Sequence, residues 1–215
     1  MNIEGAIFDL DGTLLDSMFV WDSIGEEYLL SRGVTPEPGL NIIFKKMSIV
    51  QAAQYYKSEY KINDSIEEII NGVNGMVEHY YLDVVCLKSG ILPLLKSFQN
   101  RGIKMCVATA TDRYLTEAAL RRNGIYDYFT QILTCTEVGF GKDSPVIYER
   151  AREELRTPKE TTFIFEDAIH AILTAKAAGF PVVGIYDHSS KKDQNDIKEN
   201  SDVYLTSFEE WREIN

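Results

Sequence analysis

The chain has 215 residues, 33 of them Asp or Glu against 22 Lys or Arg, for a formal net charge of −11, and 45% are hydrophobic. This balance argues against nucleic acid as a partner, because an acidic protein repels its phosphates overall, while the length and apolar content suffice for a substantial core with room for one insertion. No apolar run approaches the roughly 18 to 20 residues that a membrane span needs, and the N-terminus enters strand without a basic targeting region, so a cytoplasmic location is expected.

The first element is the most informative. Ile3, Ala6, Ile7 and Phe8 have the short apolar character of a strand inside a parallel sheet, and Gly12 and Thr13 break it into a turn. Asp9 and Asp11 therefore sit at the strand's carboxyl end, the edge where open α/β sheets bind ligands, and side chains two apart leave an extended strand on one side. The pair suits a phosphoryl-transfer site; taken alone, Asp-x-Asp is equally compatible with a solvated acidic turn.

Residues 16–83 read as an all-helical insertion. Trp21, Ile24 and Tyr28 recur at helical spacing after Asp16-Ser17, and Gly33 ends the segment. Thr35-Pro36 opens a second helix bearing Leu40, Ile43, Phe44 and Met47. Ser48-x-x-Gln51 is a capping box for a third, and Asp64-x-x-Glu67 precedes a fourth with Ile66, Ile69, Ile70, Val73, Val77 and Tyr80. The aromatic residues here serve packing between helices, and hinges are expected near Leu15 to Ser17 and Asp83 to Val85.

Strands and helices alternate thereafter. A helix carrying Leu94, Leu95 and Phe98 precedes the strand Ile103 to Thr109, and a helix with Leu115, Ala118, Ala119 and Leu120 ends at Gly124. Strands at Gln131 to Thr134, Thr161 to Phe165, Val182 to Ile185 and Val203 to Leu205 follow. Helices bearing Ile147 to Leu155 and Ala171 to Ala178 lie between them, and Ser207-x-x-Glu210 caps a terminal helix. Such alternation specifies an α/β fold, a Rossmann-like parallel sheet with helices on both faces. Lys191 to Asn200 is a charged surface segment. Cys86, Cys106 and Cys135 are odd in number, widely spaced and apolar in setting, which suits buried reduced thiols. His79, His170 and His188 lack metal-ligand spacing and read as structural or surface residues.

Three further motifs lie at the ends of strand-like runs: Thr109-Ala110-Thr111, the lone Lys142 after Gly139-Phe140-Gly141, and Glu166-Asp167. Each has a plain alternative, as a β-branched strand residue, a solvated surface lysine, or an Asp167 N-cap for a helix beginning near Ala168. Together with Asp9 and Asp11 they resemble the signature elements of the haloacid dehalogenase superfamily of phosphohydrolases, in particular its β-phosphoglucomutase-like members. The resemblance covers nearly the whole chain.

It implies a phosphotransfer core of residues 1–15 and 84–215 with a helical cap of residues 16–83. It further implies a Mg²⁺-dependent phosphatase acting on a small phosphorylated metabolite through an aspartyl-phosphate. Asp9 would be the nucleophile and Asp11 the general acid and base. Thr109 would donate its hydroxyl to a phosphate oxygen, alongside the amides of Leu10, Asp11 and Ala110, and Lys142 would supply positive charge. Mg²⁺ would be held by Asp9, the Asp11 main-chain carbonyl and Asp167, with Glu166 either a ligand or one step removed. The family commonly carries Pro-x-Pro-Asp after the lysine; here Lys142-Asp143-Ser144-Pro145 stands in its place. Asp143 is the available substitute for the missing Asp, and Ser144-Pro145 starts the helix.

In similar sugar-phosphate mutases a cap His and an Arg follow the Asp-x-Asp segment. Trp21 and Lys46-Met47-Ser48-Ile49 occupy those places, which favours phosphatase over mutase. Asp11 excludes the dehalogenase and phosphonate-cleaving branches, which lack an Asp there. A catalytically silent metabolite-binding regulator would predict loss of a core group, and none is lost. Substrate-contact candidates are Trp21, Lys45, Lys46 and Arg113, the last with a surface ion pair as its alternative.

Overall fold

The computed structural model describes residues 2–44 and 47–211. In chain order the elements are β1 (Gly5–Phe8), β2 (Leu15–Asp16), α1 (Met18–Ser31), α2 (Leu40–Phe44), α3 (Ile49–Glu59) and α4 (Ile66–His79). A π-helical turn at Tyr80–Val84 leads to β3 (Cys86–Leu87), α5 (Ile91–Asn100), β4 (Lys104–Thr109), α6 (Arg113–Arg122), β5 (Gln131–Thr134) and α7 (Cys135–Val138). The chain finishes with α8 (Val146–Leu155), β6 (Thr162–Glu166), α9 (Ile169–Ala177), β7 (Val182–Ile185), α10 (Gln194–Asn200) and β8 (Val203–Leu205).

Six strands form one parallel sheet in the order β5-β4-β1-β6-β7-β8. Alternation along the strands creates its two faces. Ala6, Phe8, Met105, Val107, Phe163 and Phe165 join one apolar cluster, against α5 and α6. Ile7, Cys106, Ala108, Ile164 and Val182 join the other, against α8, α9 and α10. Phe8 and Phe165 stand in register on adjacent strands with their rings stacked at 4.4 Å. Such a pair adds about 0.5–1.5 kcal/mol beyond its buried area. With β1 central, all of its neighbours' carboxyl ends converge on the residue after Phe8.

Among the described residues, four α-helices, α1 to α4, occupy the stretch between β2 and β3, as the apolar periodicity predicts. Several boundaries differ. The second helix starts at Leu40, because Pro38-Gly39 forms a turn with Gly39 at φ +85, and Met47 falls outside it. The cap of α4 is Ser65 with Glu68, one residue later than Asp64-x-x-Glu67, and both reciprocal bonds of a capping box form there. The Ser48–Gln51 box of α3 is present. Ser17 precedes α1 but makes no capping bond. Pro145, not Ser144, holds the N-cap position of α8, and Ala168, not Asp167, that of α9. Ser207 accepts from the Glu209 amide at a 3₁₀ turn, Phe208–Glu210, which Trp211 continues; the expected terminal helix beyond Trp211 lies outside the described residues.

The expected hinges prove structured. β2 and β3 pair as a short antiparallel ribbon, Leu15 opposite Leu87 and Asp16 opposite Cys86, followed on the cap side by the π-helical turn. Cys106 and Cys135 are buried thiols, whereas Cys86, on an edge of that ribbon, is exposed. Among the described residues no helix is long and apolar enough to cross a membrane.

Candidate active site

A tight reversal after β1 builds the first part of the site. The Asp9 amide bonds to the Phe165 carbonyl at 2.9 Å, and the Leu10 carbonyl accepts the amides of both Leu14 and Leu15 at 2.9 Å. Gly12 makes the turn possible. Its φ is +83, and a Cβ there would come within 2.7 Å of the Asp167 carboxyl carbon. Thr13 reaches the same carboxylate with its hydroxyl at 3.5 Å.

Strand ends and one loop bring the remaining groups together. Lys142 follows α7, whose C-terminus turns at Gly139, and its ammonium lies between two carboxylates. It donates to Asp9 and, at 2.5 Å, to Glu166. All three side chains are buried. Glu166 also accepts from the Tyr148 hydroxyl at 3.3 Å and from the amides of Asp167 and Ala168 at 3.0 and 3.3 Å. The partner of Lys142 is therefore Glu166 rather than Asp143, which is exposed. Carboxylate oxygens of Asp9, Glu166 and Asp167 lie within 4.8 Å of one another.

Asp11 is held differently. Its Oδ1 accepts from the Ser17 hydroxyl at 2.6 Å and the Tyr81 hydroxyl at 2.5 Å, and its Oδ2 from the Thr111 hydroxyl at 2.6 Å. Tyr81 in turn accepts from the Trp21 indole at 2.7 Å. Thr109 accepts the Thr111 amide at 3.0 Å, which leaves its own hydroxyl hydrogen available. Ser17, Tyr81 and Thr111 were not among the sequence candidates. Thr111 had a signal, since it lies two residues beyond Thr109, whereas Tyr81 stands outside every motif.

A cavity of about 240 Å³ opens over these groups, lined on the sheet side by Asp9, Asp11, Thr109, Ala110, Lys142 and Asp167. Trp21 lines it from α1, and His170, expected to be structural or superficial, lines it from α9. Leu10 is buried behind Asp9. Arg113 is not part of the cavity lining; it pairs with Glu137 at 2.5 and 2.7 Å and with the Ile132 carbonyl at 2.7 Å, the surface ion pair of its alternative reading. Lys45 and Lys46 lie outside the described residues.

Burial governs the electrostatics. Desolvation pushes the Asp9 carboxyl up to about 8 against the pull of Lys142, with Glu166 and Asp11 adding repulsion. Asp167 is raised well above the usual carboxylate range by burial and then by Glu166 and Asp9. Lys142 loses solvation too, yet the two facing carboxylates outweigh that loss and hold it above its ordinary value. With all three carboxyls ionised, the one ammonium would leave negative charge in excess. An all-oxygen donor set with excess negative charge fits a hard divalent cation, which would reverse the upward shifts of Asp9 and Asp167.

A six-stranded parallel sheet with a helical insertion after its first strand, and a buried acidic centre on its carboxyl edge, defines an α/β protein of the Rossmann-like class with a site suited to a divalent metal. The chain belongs to the haloacid dehalogenase-like hydrolases, whose sequence profile matches residues 6–185. It is 27% identical over 190 residues to the phosphorylated carbohydrates phosphatase of Thermotoga maritima, covering 82% of each chain. It is 26% identical to (DL)-glycerol-3-phosphatase 1, mitochondrial, of Arabidopsis thaliana, over 98% of this chain and 74% of that one. The crystal structure of CbbY from Rhodobacter sphaeroides in complex with phosphate superposes with a TM-score of 0.84 at 23% identity, over 96% and 95% of the two chains, and so shares the fold.

Proposed function

We propose that this protein is a Mg²⁺-dependent phosphomonoester hydrolase that works through a phospho-Asp9 intermediate. The observation that carries the reading is Lys142 clasped between Asp9 and Glu166, beside Asp167, on the floor of a cavity that Asp11 also lines. The relatives named above, a phosphorylated carbohydrates phosphatase and a glycerol-3-phosphatase, support a small phosphorylated metabolite as substrate.

The Asp9 carboxylate attacks phosphorus in line, forming a new P–O bond as the bond to the alcohol oxygen breaks. Asp11 delivers its proton to that leaving oxygen. Deprotonated, it then takes a proton from water, whose oxygen attacks phosphorus and releases phosphate and the Asp9 carboxylate. The Thr109 hydroxyl and the amides of Leu10, Asp11 and Ala110 bind phosphoryl oxygens. Lys142 favours the ionised form of Asp9 against the cost of burial and faces the charge that builds during transfer. Asp9, the Asp11 carbonyl and Asp167 would hold Mg²⁺, with Glu166 serving Lys142. When bound, the metal supplies neutralising charge at the phosphoryl group. Residues 16–83 act as a cap over the core of residues 1–15 and 84–215 and exclude bulk water when closed.

Phosphate release from sugar phosphates, nucleotides and small phosphoesters, with and without Mg²⁺, tests the reading in wild type and Asp9→Asn. Metal-dependent release abolished by the substitution is expected. Release that survives Asp9→Asn overturns the covalent route, and isomerisation of β-glucose 1-phosphate in place of release points to a mutase.

A further inference from the structure

The two oxygens of Asp11 are not equivalent. Each oxygen of a carboxyl group offers two lone pairs to donors. Both of those on Oδ1 are taken, by the Ser17 and Tyr81 hydroxyls, whereas Oδ2 accepts, among the described residues, from Thr111 alone. This is the pattern that a neutral acid requires: a carbonyl oxygen accepting twice, and a hydroxyl oxygen accepting once with its own hydrogen on the remaining side. A proton on Asp11 therefore rides on Oδ2.

Trp21 fixes the direction of the Tyr81 bond. An indole N–H can only donate, so at 2.7 Å it makes the Tyr81 oxygen an acceptor and commits the one phenolic hydrogen to Asp11. Burial, and after it the Asp11 carboxylate, hold the Tyr81 phenol well above its ordinary value, so it stays a donor. The Tyr81 ring is fully buried and edge-on to that of Trp21, with centroids 6.3 Å apart. Ser17 follows β2, and Tyr81 lies in the π-helical turn ahead of β3, where the Val85 amide reaches back to the Tyr80 carbonyl at 2.8 Å. The two donors to Oδ1 thus come from opposite ends of the helical segment.

We propose that Tyr81, held by Trp21, is a positioning residue for proton transfer: with Ser17 it fills Oδ1 and so makes Oδ2 the oxygen that protonates the leaving alcohol. This rests on the phosphomonoesterase reading and adds to it how the acid is aimed. As the bond from phosphorus to the alcohol oxygen breaks, that oxygen takes the proton, and Oδ2 keeps the electron pair of its O–H bond. Without the Tyr81 hydroxyl one lone pair of Oδ1 is released, the proton divides between two oxygens, and part of the acid points away from the leaving group.

The test is a comparison of leaving groups. A nitrophenolate departs at neutral pH without a proton and an alkoxide does not, so a misaimed acid slows the alkyl ester selectively. Values of kcat/KM with Mg²⁺ are measured for 4-nitrophenyl phosphate and for the fastest alkyl ester of the panel above, in wild type and Tyr81→Phe. They cover transfer to Asp9 and exclude hydrolysis of the phosphoenzyme. The alkyl ester should lose about 2- to 13-fold more than the aryl ester, the effect of one net hydrogen bond. Ser17→Ala, which releases the other lone pair of Oδ1, should show the same bias and decides the matter if Tyr81→Phe does not fold. Equal losses on the two esters, a larger loss on the aryl ester, or no loss on either overturns the inference while leaving the hydrolase reading intact. Absence of Asp9-dependent release from both esters in otherwise wild-type protein overturns both.

Discussion

Replacing Lys142 by Met keeps the bulk of the side chain and removes the one ammonium that the buried carboxylates share. Asp9 and Glu166 are 7% and 1% exposed, so neither can recover its solvation when the partner is lost. Breaking buried pairs of this kind by removing one partner costs about 3–5 kcal/mol. For a chain of this size that lowers Tm by roughly 6–20 °C. The penalty should also depend on pH. Asp9 has a folded pKa of about 8 against an ordinary 3.8, so its contribution to stability is complete below about pH 4 and is lost as pH rises to 8. Without Lys142 the folded value climbs further, and the loss continues above pH 8 where the wild type has stopped losing. Each further unit adds about 1.4 kcal/mol to the difference once the carboxyl ionises. Thermal melts of both proteins in chelator, followed by far-UV circular dichroism at pH 7 and pH 9, measure this. A fall in Tm under about 3 °C at pH 7, or one that shrinks at pH 9, would refute the idea that Lys142 compensates these carboxylates.

Two other substitutions probe the surroundings of the acids. Tyr81→Phe deletes one of three donors that orient Asp11, a bond worth about 0.5–1.5 kcal/mol, and should lower kcat by about 2- to 13-fold with KM within about twofold. Steady-state kinetics on the best substrate decide it; an unchanged kcat with a raised KM would reduce Tyr81 to cap packing. Gly12→Ala meets both an unfavourable φ of +83 and the Asp167 carboxylate, a strain of about 1–3 kcal/mol that should lower Tm by roughly 2–12 °C. Wild-type melting of that variant would show that the loop has another way to turn.

Much of the fold was legible because interior parallel strands are short apolar runs with sharp ends. β5, β7 and β8 begin and end at the predicted residues. Helix starts were less legible where candidate caps adjoin: Asp64 and Ser65 both suit an N-cap, and only Ser65 has an acid three residues on that closes the box. Of the site, the residues at strand ends were readable, since topology alone sends Asp9, Thr109 and Glu166 to one edge. Their pairings were not. Nothing in Lys142-Asp143 shows that the lysine turns to an acid 24 residues away, and no local pattern shows that Tyr81, at the far end of the insertion, bonds to Asp11.

The central place of β1 has a consequence for how the chain is made. This strand leaves the ribosome before either of its partners, which begin only at Lys104 and Thr162. At about 5–20 residues per second the second partner follows roughly 8–30 s later. For that interval a strand whose four residues are all buried in the finished protein has nowhere to go. The helical segment made in the meantime has mainly local contacts and can condense at once, so it stands beside the waiting strand before the sheet exists. Sequestration of β1 in the newly made chain is therefore expected to matter, and shortage of chaperones should strike this chain as nascent-chain aggregation rather than as instability of the mature form.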